Sequence, residues 1–479
     1  MGVLKLTKIA FIQEIAYEHL GTAYLSAVLK KAGHQCNVFV TSLEKNLIDK
    51  LKEAKPDLIA FSVITGSHKW CLAMARKIKD EINCKVIFGG PHATHFPEVI
   101  KEEAVDYVCR GEGEEAIVEL ADKLGRGEPT TNISGIWCKK DGEVIRNDVN
   151  KLIENIDSLP FPDRDAYYKY KKMKNNPQKR FLTTRGCPYN CSFCFNHSLR
   201  SLYKNKGVYI RQRSIENVIS EMLEVKKRYK MRTVYFEDDT FVLNKKWVID
   251  FLKVYKEKIA LPFIVLIRAN LVDEEIIKAF KESGCKSAFF GIETGNEELR
   301  NLLLKKNLSN KDIIEAARLL HKYKIKFKTY NMLGLPDETL DNAFETLELN
   351  AKIKTTFPWC SIFQPYPGTE LGRYAIERGY IGANFDCDDI QPYFFMTSVM
   401  HNKKDINKII NLQKLFVLGV KFPFTIPLIK KLVKLPPNFM YSLIFLFGYA
   451  YTYLGSEDVS ILNRFGEGLE TIRKFIINQ

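Results

Sequence analysis

The 479-residue sequence predicts an α/β protein: two parallel-sheet domains followed by a mainly helical C-terminal region. Three observations predict it. Short apolar runs alternate with helical stretches from residue 8 to about 130. The alternation resumes from Phe181 to about Tyr380, after a proline-broken stretch that lacks it. Beyond residue 380 it stops, and lysine-rich apolar sequence takes over. Strands alternating with helices imply parallel sheets covered on both faces.

In the first domain, residues 1–130, the strand-like runs are Ile9–Ile12, Cys36–Val40, Leu58–Val63, Val86–Phe88 and Tyr107–Cys109, with helical stretches such as Leu20–Lys31 and Trp70–Ile82 between them. Five such strands match a Rossmann-like (flavodoxin-like) sheet, whose ligands bind beyond the carboxyl ends of the strands. Those ends are glycine-rich: Thr65-Gly66-Ser67, Gly89-Gly90-Pro91-His92 and Arg110-Gly111-Glu112-Gly113. Glycine lets backbone approach a ligand closely, although ordinary tight turns use it too. Residues 131–180 hold a hairpin-like piece, Ile133–Cys138 with Val144–Ile145, then Leu159-Pro160-Phe161-Pro162-Asp163 and the polar run Lys171–Arg180. Two prolines in four residues interrupt regular structure, so this segment is expected to be a linker.

The second domain, residues 181–380, has strand patterns at Phe181–Thr184, Thr233–Glu237, Phe263–Arg268, Ser287–Ile292, Lys326–Leu333 and Trp359–Gln364. Six βα units predict a (β/α)6 partial barrel with its chemistry at the C-terminal strand ends. In the tail, residues 381–479, positions 401 to 437 hold eight lysines and one aspartate, and Phe439–Leu454 carries no charge. A membrane span needs about 20 apolar residues. The run is shorter, so the expectations are a buried helix or a peripheral, interfacial membrane contact.

The net charge of +15, from 72 basic and 57 acidic side chains, is spread along the chain. It favours anionic surfaces, but no block is dense enough for a nucleic-acid arm, and none is expected. Eleven cysteines in this length do not make a disulfide framework. The sequence leads straight into its first strand, so no secretory leader and a cytoplasmic, reducing location are expected. Clustered thiols there mean metal or redox chemistry.

Such a cluster is present in Arg185-Gly186-Cys187-Pro188-Tyr189-Asn190-Cys191-Ser192-Phe193-Cys194. A 4Fe–4S cube usually takes four cysteines. Three leave one iron open to a small molecule, as at a catalytic metal site. A structural zinc would need a fourth ligand, for which His197 is the nearby candidate.

The Cys-x3-Cys-x2-Cys spacing, Phe193 before the last cysteine and the preceding strand resemble the radical SAM superfamily. The resemblance implies that Cys187, Cys191 and Cys194 hold a 4Fe–4S cluster and that S-adenosylmethionine (SAM) chelates its open iron. Reductive cleavage would then give a 5′-deoxyadenosyl radical that abstracts hydrogen from a small-molecule substrate, with electrons from a donor such as flavodoxin or ferredoxin. Phe193 would contact the adenine. Phe236-Glu237-Asp238-Asp239 stands where the family binds the SAM amino group, which implies Glu237 and Asp238 as partners. Arg268 could pair with the SAM carboxylate, a geometry that suits arginine. Gly291-Ile292-Glu293-Thr294 resembles the ribose-contacting segment, implying Glu293. Asn331-Met332-Leu333-Gly334-Leu335-Pro336 resembles the adenine motif, implying Gly334.

The first domain resembles the cobalamin-binding domain fused to one radical SAM subgroup, through Gly21–Gly33 and the loops after the fourth and fifth strands. The implied cobalamin contacts are Gly66, Ser67, Gly89, Gly90, Gly111, Glu112 and Gly113. The Asp-x-His-x-x-Gly motif that supplies a cobalt-ligating histidine is absent, so His19, His68 and His92 are not expected as ligands. With both cofactors, the implied reaction is methyl transfer to an unactivated carbon or phosphorus. Alternatives are a cyclase, rearrangement or oxidation on a lipid or tetrapyrrole-like molecule, and a non-catalytic cobalamin or redox sensor. The basic, apolar tail suggests a lipid or isoprenoid substrate.

Overall fold

The computed structural model describes residues 5–390 and 397–456; the part of the expected C-terminal region from 457 on lies outside them. Two compact units result. One comprises the residues up to Asn175 with Ser198–Arg211, and the other Asn176–His197 with the residues from Gln212 on.

In the first unit, β1 (Lys8–Gln13), β2 (Gln35–Val40), β3 (Leu58–Ser62), β4 (Lys85–Gly89) and β5 (Tyr107–Cys109) are parallel, in the order β2-β1-β3-β4-β5. This is the flavodoxin-like order, with its switch point at β1 and β3. The strands are buried almost end to end because helices cover both faces. Helix α1 (Leu20–Lys31) faces inward with Leu20, Ala23, Tyr24 and Ala27, the spacing of one helical face.

The expected linker at 131–180 is corrected by the structure. Its strands β6 (Ile136–Lys140) and β7 (Glu143–Arg146) extend the same sheet antiparallel, and its later part packs on α1 and β1. Arg164 forms a buried ion pair with Glu18, Tyr168 donates to the same carboxylate at 2.7 Å, and Asp163 accepts from Ser26 at 2.5 Å. Pro160 and Pro162 interrupt helix and strand without freeing the chain, because Tyr167 and Tyr168 supply aromatic surface that is buried.

In the second unit, β8 (Gln178–Phe181), β9 (Thr233–Phe236), β10 (Phe263–Leu266), β11 (Cys285–Glu293), β12 (Lys326–Leu333) and β13 (Phe357–Ile362) form one parallel sheet in sequential order, the strand order of a partial barrel. Between them run α2 (Ile215–Arg228), α3 (Lys245–Lys258), α4 (Glu274–Glu282), α5 (Asn310–Lys322) and α6 (Leu340–Lys352). Each begins at a side chain that accepts a backbone N–H of the first turn: Ser214, Asn244, Asp273, Ser309 and Thr339. Such caps contribute about 1 kcal/mol each and fix where every helix starts. The helices pack on Val234, Phe236, Phe263, Val265, Phe290 and Phe327, the alternate residues of the strands. Beyond the sheet, α7 (Ile406–Lys421) lies on β13 and α6, and α8 (Phe439–Ser456) lies on α7 and β13. No described helix is long and apolar enough to cross a membrane.

Candidate active site

The cysteine loop follows β8 and is pinned from two sides. Ser192 donates its backbone N–H to Leu304 O (3.1 Å) and its hydroxyl to Leu303 O (2.6 Å), while its own carbonyl accepts from Leu371 N–H (2.9 Å). The three thiols are free and half-buried. Cys187 and Cys194 each feel neighbouring thiols and Asp239, and burial pushes both pKa values up, that of Cys194 to about 11. Three thiols gathered on one pinned loop suit a cluster, which binds cysteines as thiolates. The alternative fourth ligand, His197, lies beside Asn190 at 3.0 Å.

The end of β9 touches this loop through consecutive residues with different fates. Glu237 is ion-paired with Arg180. Asp238 is fully buried and accepts from the Thr183 N–H (3.0 Å) and hydroxyl (2.7 Å), and burial raises its pKa to about 7. Asp239 is exposed to solvent yet hemmed in by surrounding chain, which raises its pKa, and it is hydrogen bonded to Asn196. Thr240 is hydrogen bonded to the Cys187 thiol. The carboxylate within electrostatic reach of the thiols is therefore Asp239, a member of the acidic motif that the resemblance does not single out.

Arg268, after β10, is buried, with its guanidinium 3.7 Å from the centre of the Tyr189 ring in the cysteine loop. It donates to the carbonyls of Lys306 and Asn307 and to Asn270 Oδ1. Glu293, at the end of β11, has a left-handed backbone (φ 67°) and a 2.7 Å ion pair with the largely buried Lys306. A Cβ on Gly291 would stand 2.0 Å from the Glu293 carboxylate, so a larger residue there would push the Glu293–Lys306 pair aside. Arg300, not anticipated from sequence, is fully buried and donates to the carbonyls of Ile292, Thr294 and Leu308 and to Asn310 Oδ1. It clamps the Glu293 segment to the start of α5. Phe193 packs in one apolar cluster with Met332 and Leu335, so the aromatic of the cysteine loop and the motif after β12 come together. Gly334 donates its N–H to the buried Glu338, whose pKa burial raises to about 7. Cys360 and Tyr366 are buried and half-buried respectively, and Cys360 belongs to the core beneath α7.

In the first unit, the loops after β3 and β4 meet. Val63 N–H donates to Gly89 O (2.8 Å), and His68 and His92 stack with ring centres 4.4 Å apart, both buried. Thr65 hydroxyl lies 3.1 Å from His92 Nδ1, and Gly66 N–H donates to His68 Nδ1. Ser67 donates to Ile64 O. Gly66 borders open space, and Gly90 sits where a Cβ would press on Val63. The loop after β5 is held differently. Glu112 makes a two-pronged pair with Arg211 (2.7 and 2.8 Å), its N–H donates to Tyr203 Oη, and that phenol fills the place of a Gly111 side chain. Gly113 caps the helix Glu114–Arg126.

Two family models match these regions: the radical SAM superfamily over residues 181–349 and the B12 binding domain over residues 15–121. An uncharacterized methyltransferase of Pyrococcus horikoshii is 32% identical over 371 residues, covering 76% of this chain and 79% of that protein. The chain belongs to the radical SAM superfamily, with a B12-binding domain. An anaerobic magnesium-protoporphyrin IX monomethyl ester cyclase of Rubrivivax gelatinosus is 24% identical, covering 79% of this chain and 69% of that one. Among solved structures, the radical SAM methyltransferase TsrM of Kitasatospora setae, with cobalamin and a [4Fe-4S] cluster bound, superposes with a TM-score of 0.66 at 18% identity, over 78% of each chain. It shares the fold. The cofactors of this radical SAM protein are a 4Fe–4S cluster, SAM and cobalamin. The residues fit them: three free thiols on a pinned loop with a carboxylate beside them, and open backbone at Gly66 over a β3–β4 loop pair.

Proposed function

We propose that this chain is a cobalamin-dependent radical SAM methyltransferase acting on an apolar small molecule of the lipid or isoprenoid class. The observation that carries the reading is the pairing, in one chain, of the three-thiol loop and its neighbouring Asp239 with a B12-binding domain. Methyl transfer is preferred because the relative at 32% identity is named a methyltransferase. When bound, the cluster supplies the electron that cleaves SAM, and cobalamin supplies a methyl carrier.

Cys187, Cys191 and Cys194 hold the cluster as thiolates. Asp239 accepts the SAM ammonium, in place of Glu237 and Asp238, which neutralise Arg180 and anchor Thr183. Arg268 keeps Tyr189, and so the cysteine loop, in position, with its charge available to a carboxylate. Phe193 with Met332 and Leu335 forms an apolar wall for the adenine, and Glu293 offers its carboxylate to the ribose. Gly334 shapes the turn through Glu338. Gly66, Ser67, Gly89 and Gly90 form the cobalamin rim, and Gly111, Glu112 and Gly113 brace it. A small redox protein such as flavodoxin or ferredoxin delivers the electron.

The test is anaerobic reconstitution with iron, sulfide and cobalamin, followed by assay of 5′-deoxyadenosine from SAM. Wild type should produce it, and Cys187→Ala, Cys191→Ala and Cys194→Ala should lose about 100-fold or more, the magnitude of removing an essential catalytic group. A product one carbon heavier than its substrate supports methyl transfer. An unchanged carbon count would instead favour the cyclase-like reading suggested by the 24%-identical relative. A full cluster with no SAM cleavage in the presence of candidate substrates would point to a sensor.

A further inference from the structure

The described chain concentrates its exposed apolar surface in one short stretch. Nine of the sixteen large hydrophobic side chains that are exposed among the described residues lie between Phe422 and Tyr451. Phe424 is 81% exposed and Phe447 75%. They arise from two elements. Phe422 is exposed, and the turn and short helix Pro423–Leu432 and the segment after it expose Phe424, Leu428 and Leu435 in turn. Helix α8 exposes Met440 and, spaced by four along one face, Phe439, Leu443, Phe447 and Tyr451. Its opposite face, with Tyr441, Phe445, Gly448 and Thr452, is buried. The outer stripe is thus not a core stripe left over, since the core already has its own face.

The segments that build this surface carry charge of one sign. From Ile406 to Ser456 there are six lysines and no carboxylate. Lys430 pairs with Glu348 at 2.9 Å, but Lys431 and Lys434, between the exposed Leu428 and Leu435, have no ion-pair partner among the described residues. Proteins rarely expose contiguous apolar patches of this kind without a use for them. A protein partner would set carboxylates and shaped side chains against it. A surface of aromatic and aliphatic side chains interleaved only with lysine matches the boundary between acyl chains and anionic headgroups, where lysine stems lie along apolar surface and their ammonium groups reach the phosphates.

We propose that the surface formed by Phe422–Leu435 and the outer stripe of α8 docks this protein peripherally on an anionic lipid bilayer. No described helix is long and apolar enough to cross a membrane, and docking needs none. The surface goes beyond the methyl-transfer reading, and vesicle binding can be measured without turnover, so the two can fail separately.

The experiment is co-sedimentation of the full chain with vesicles of phosphatidylcholine alone and with one third phosphatidylglycerol. Wild type should bind the anionic vesicles and be released by high salt. Each lysine near an anionic surface contributes about five-fold in partition, so the double variant Lys431→Gln, Lys434→Gln should bind about 25-fold less. Phe424→Ser with Phe447→Ser should lose about tenfold or more, whereas Val208→Ser, exposed on the other unit, should bind as wild type. Circular dichroism keeps loss of fold apart from loss of docking. Wild type remaining in solution with both vesicles would overturn the proposal, as would binding that the lysine and phenylalanine variants leave unchanged. A dimer in solution that Phe424→Ser with Phe447→Ser converts to monomer, without vesicle binding, would assign the surface to a second copy of the chain and overturn it too.

Discussion

Glu237, Asp238 and Asp239 follow β9 one after another, yet each carboxylate does something different. Glu237 is neutralised by Arg180, Asp238 is sealed against Thr183, and Asp239 keeps solvent access beside Cys187 and Cys194. Asp238 is fully buried, so an ammonium group from outside does not reach its carboxylate, even though its Oδ2 has no hydrogen-bond partner among the described residues. Asp239→Ala should therefore retain a full complement of iron yet weaken SAM binding by about 10–100-fold, the range of one charge-assisted hydrogen bond. Glu237→Gln and Asp238→Asn should bind SAM within about threefold of wild type. Equilibrium dialysis of the reconstituted variants separates these outcomes, and a larger loss in Glu237→Gln than in Asp239→Ala would sink the assignment. The triad itself was legible because its spacing is local. Which of three consecutive acids faces the thiols was not, since one residue of rotation past a strand end exchanges them.

At the scale of elements, the second unit holds its strand-end loops with side chains remote from the motifs. Arg300 gives its N–H groups to three carbonyls and to Asn310, and burial lowers its pKa to about 10, still far above neutrality. Only a planar guanidinium reaches all these acceptors at once. Arg300→Met fills much of the volume but leaves buried carbonyls unpaired, which costs about 1–3 kcal/mol each. A loss of about 3 kcal/mol or more in urea unfolding is expected, with Arg300→Lys recovering only part of it; a loss below about 1 kcal/mol would show that the clamp is dispensable. In the first unit, the loop after β5 depends likewise on Tyr203 and Arg211, 91 and 99 residues from Glu112. The family resemblance puts Glu112 at a ligand. The structure engages its carboxylate with Arg211.

For the whole molecule, the half-buried His95 and the buried Asp238 set opposing slopes of stability against pH. Burial, and then Arg110, push His95 from 6.5 down to about 4. Its folded pKa is depressed, so its contribution is full above about pH 6.5 and is lost as pH falls through 4. Asp238 is raised by burial from 3.8 to about 7. Its contribution is full below about pH 4 and is lost as pH rises through 7. Melting temperatures measured from about pH 4 to about pH 8 should show His95→Gln gaining on wild type toward acid and Asp238→Asn gaining toward neutrality. Parallel curves for either variant would contradict the corresponding shift.

The sequence by itself determined the strands, their grouping into two sheets and the three thiols. Each rests on short-range physics: the alternation of apolar runs with helical stretches, or cysteines on one loop. Tertiary structure alone decided that residues 136–146 extend the first sheet, that Asp239 is the acid beside the thiols, and that the apolar tail divides into a buried face and an exposed one. Those outcomes depend on which surfaces meet across long separations in the chain. Phe445 and Phe447 are the same residue type two positions apart in one charge-free helix, and only the packing of α7 and β13 buries the first and leaves the second exposed.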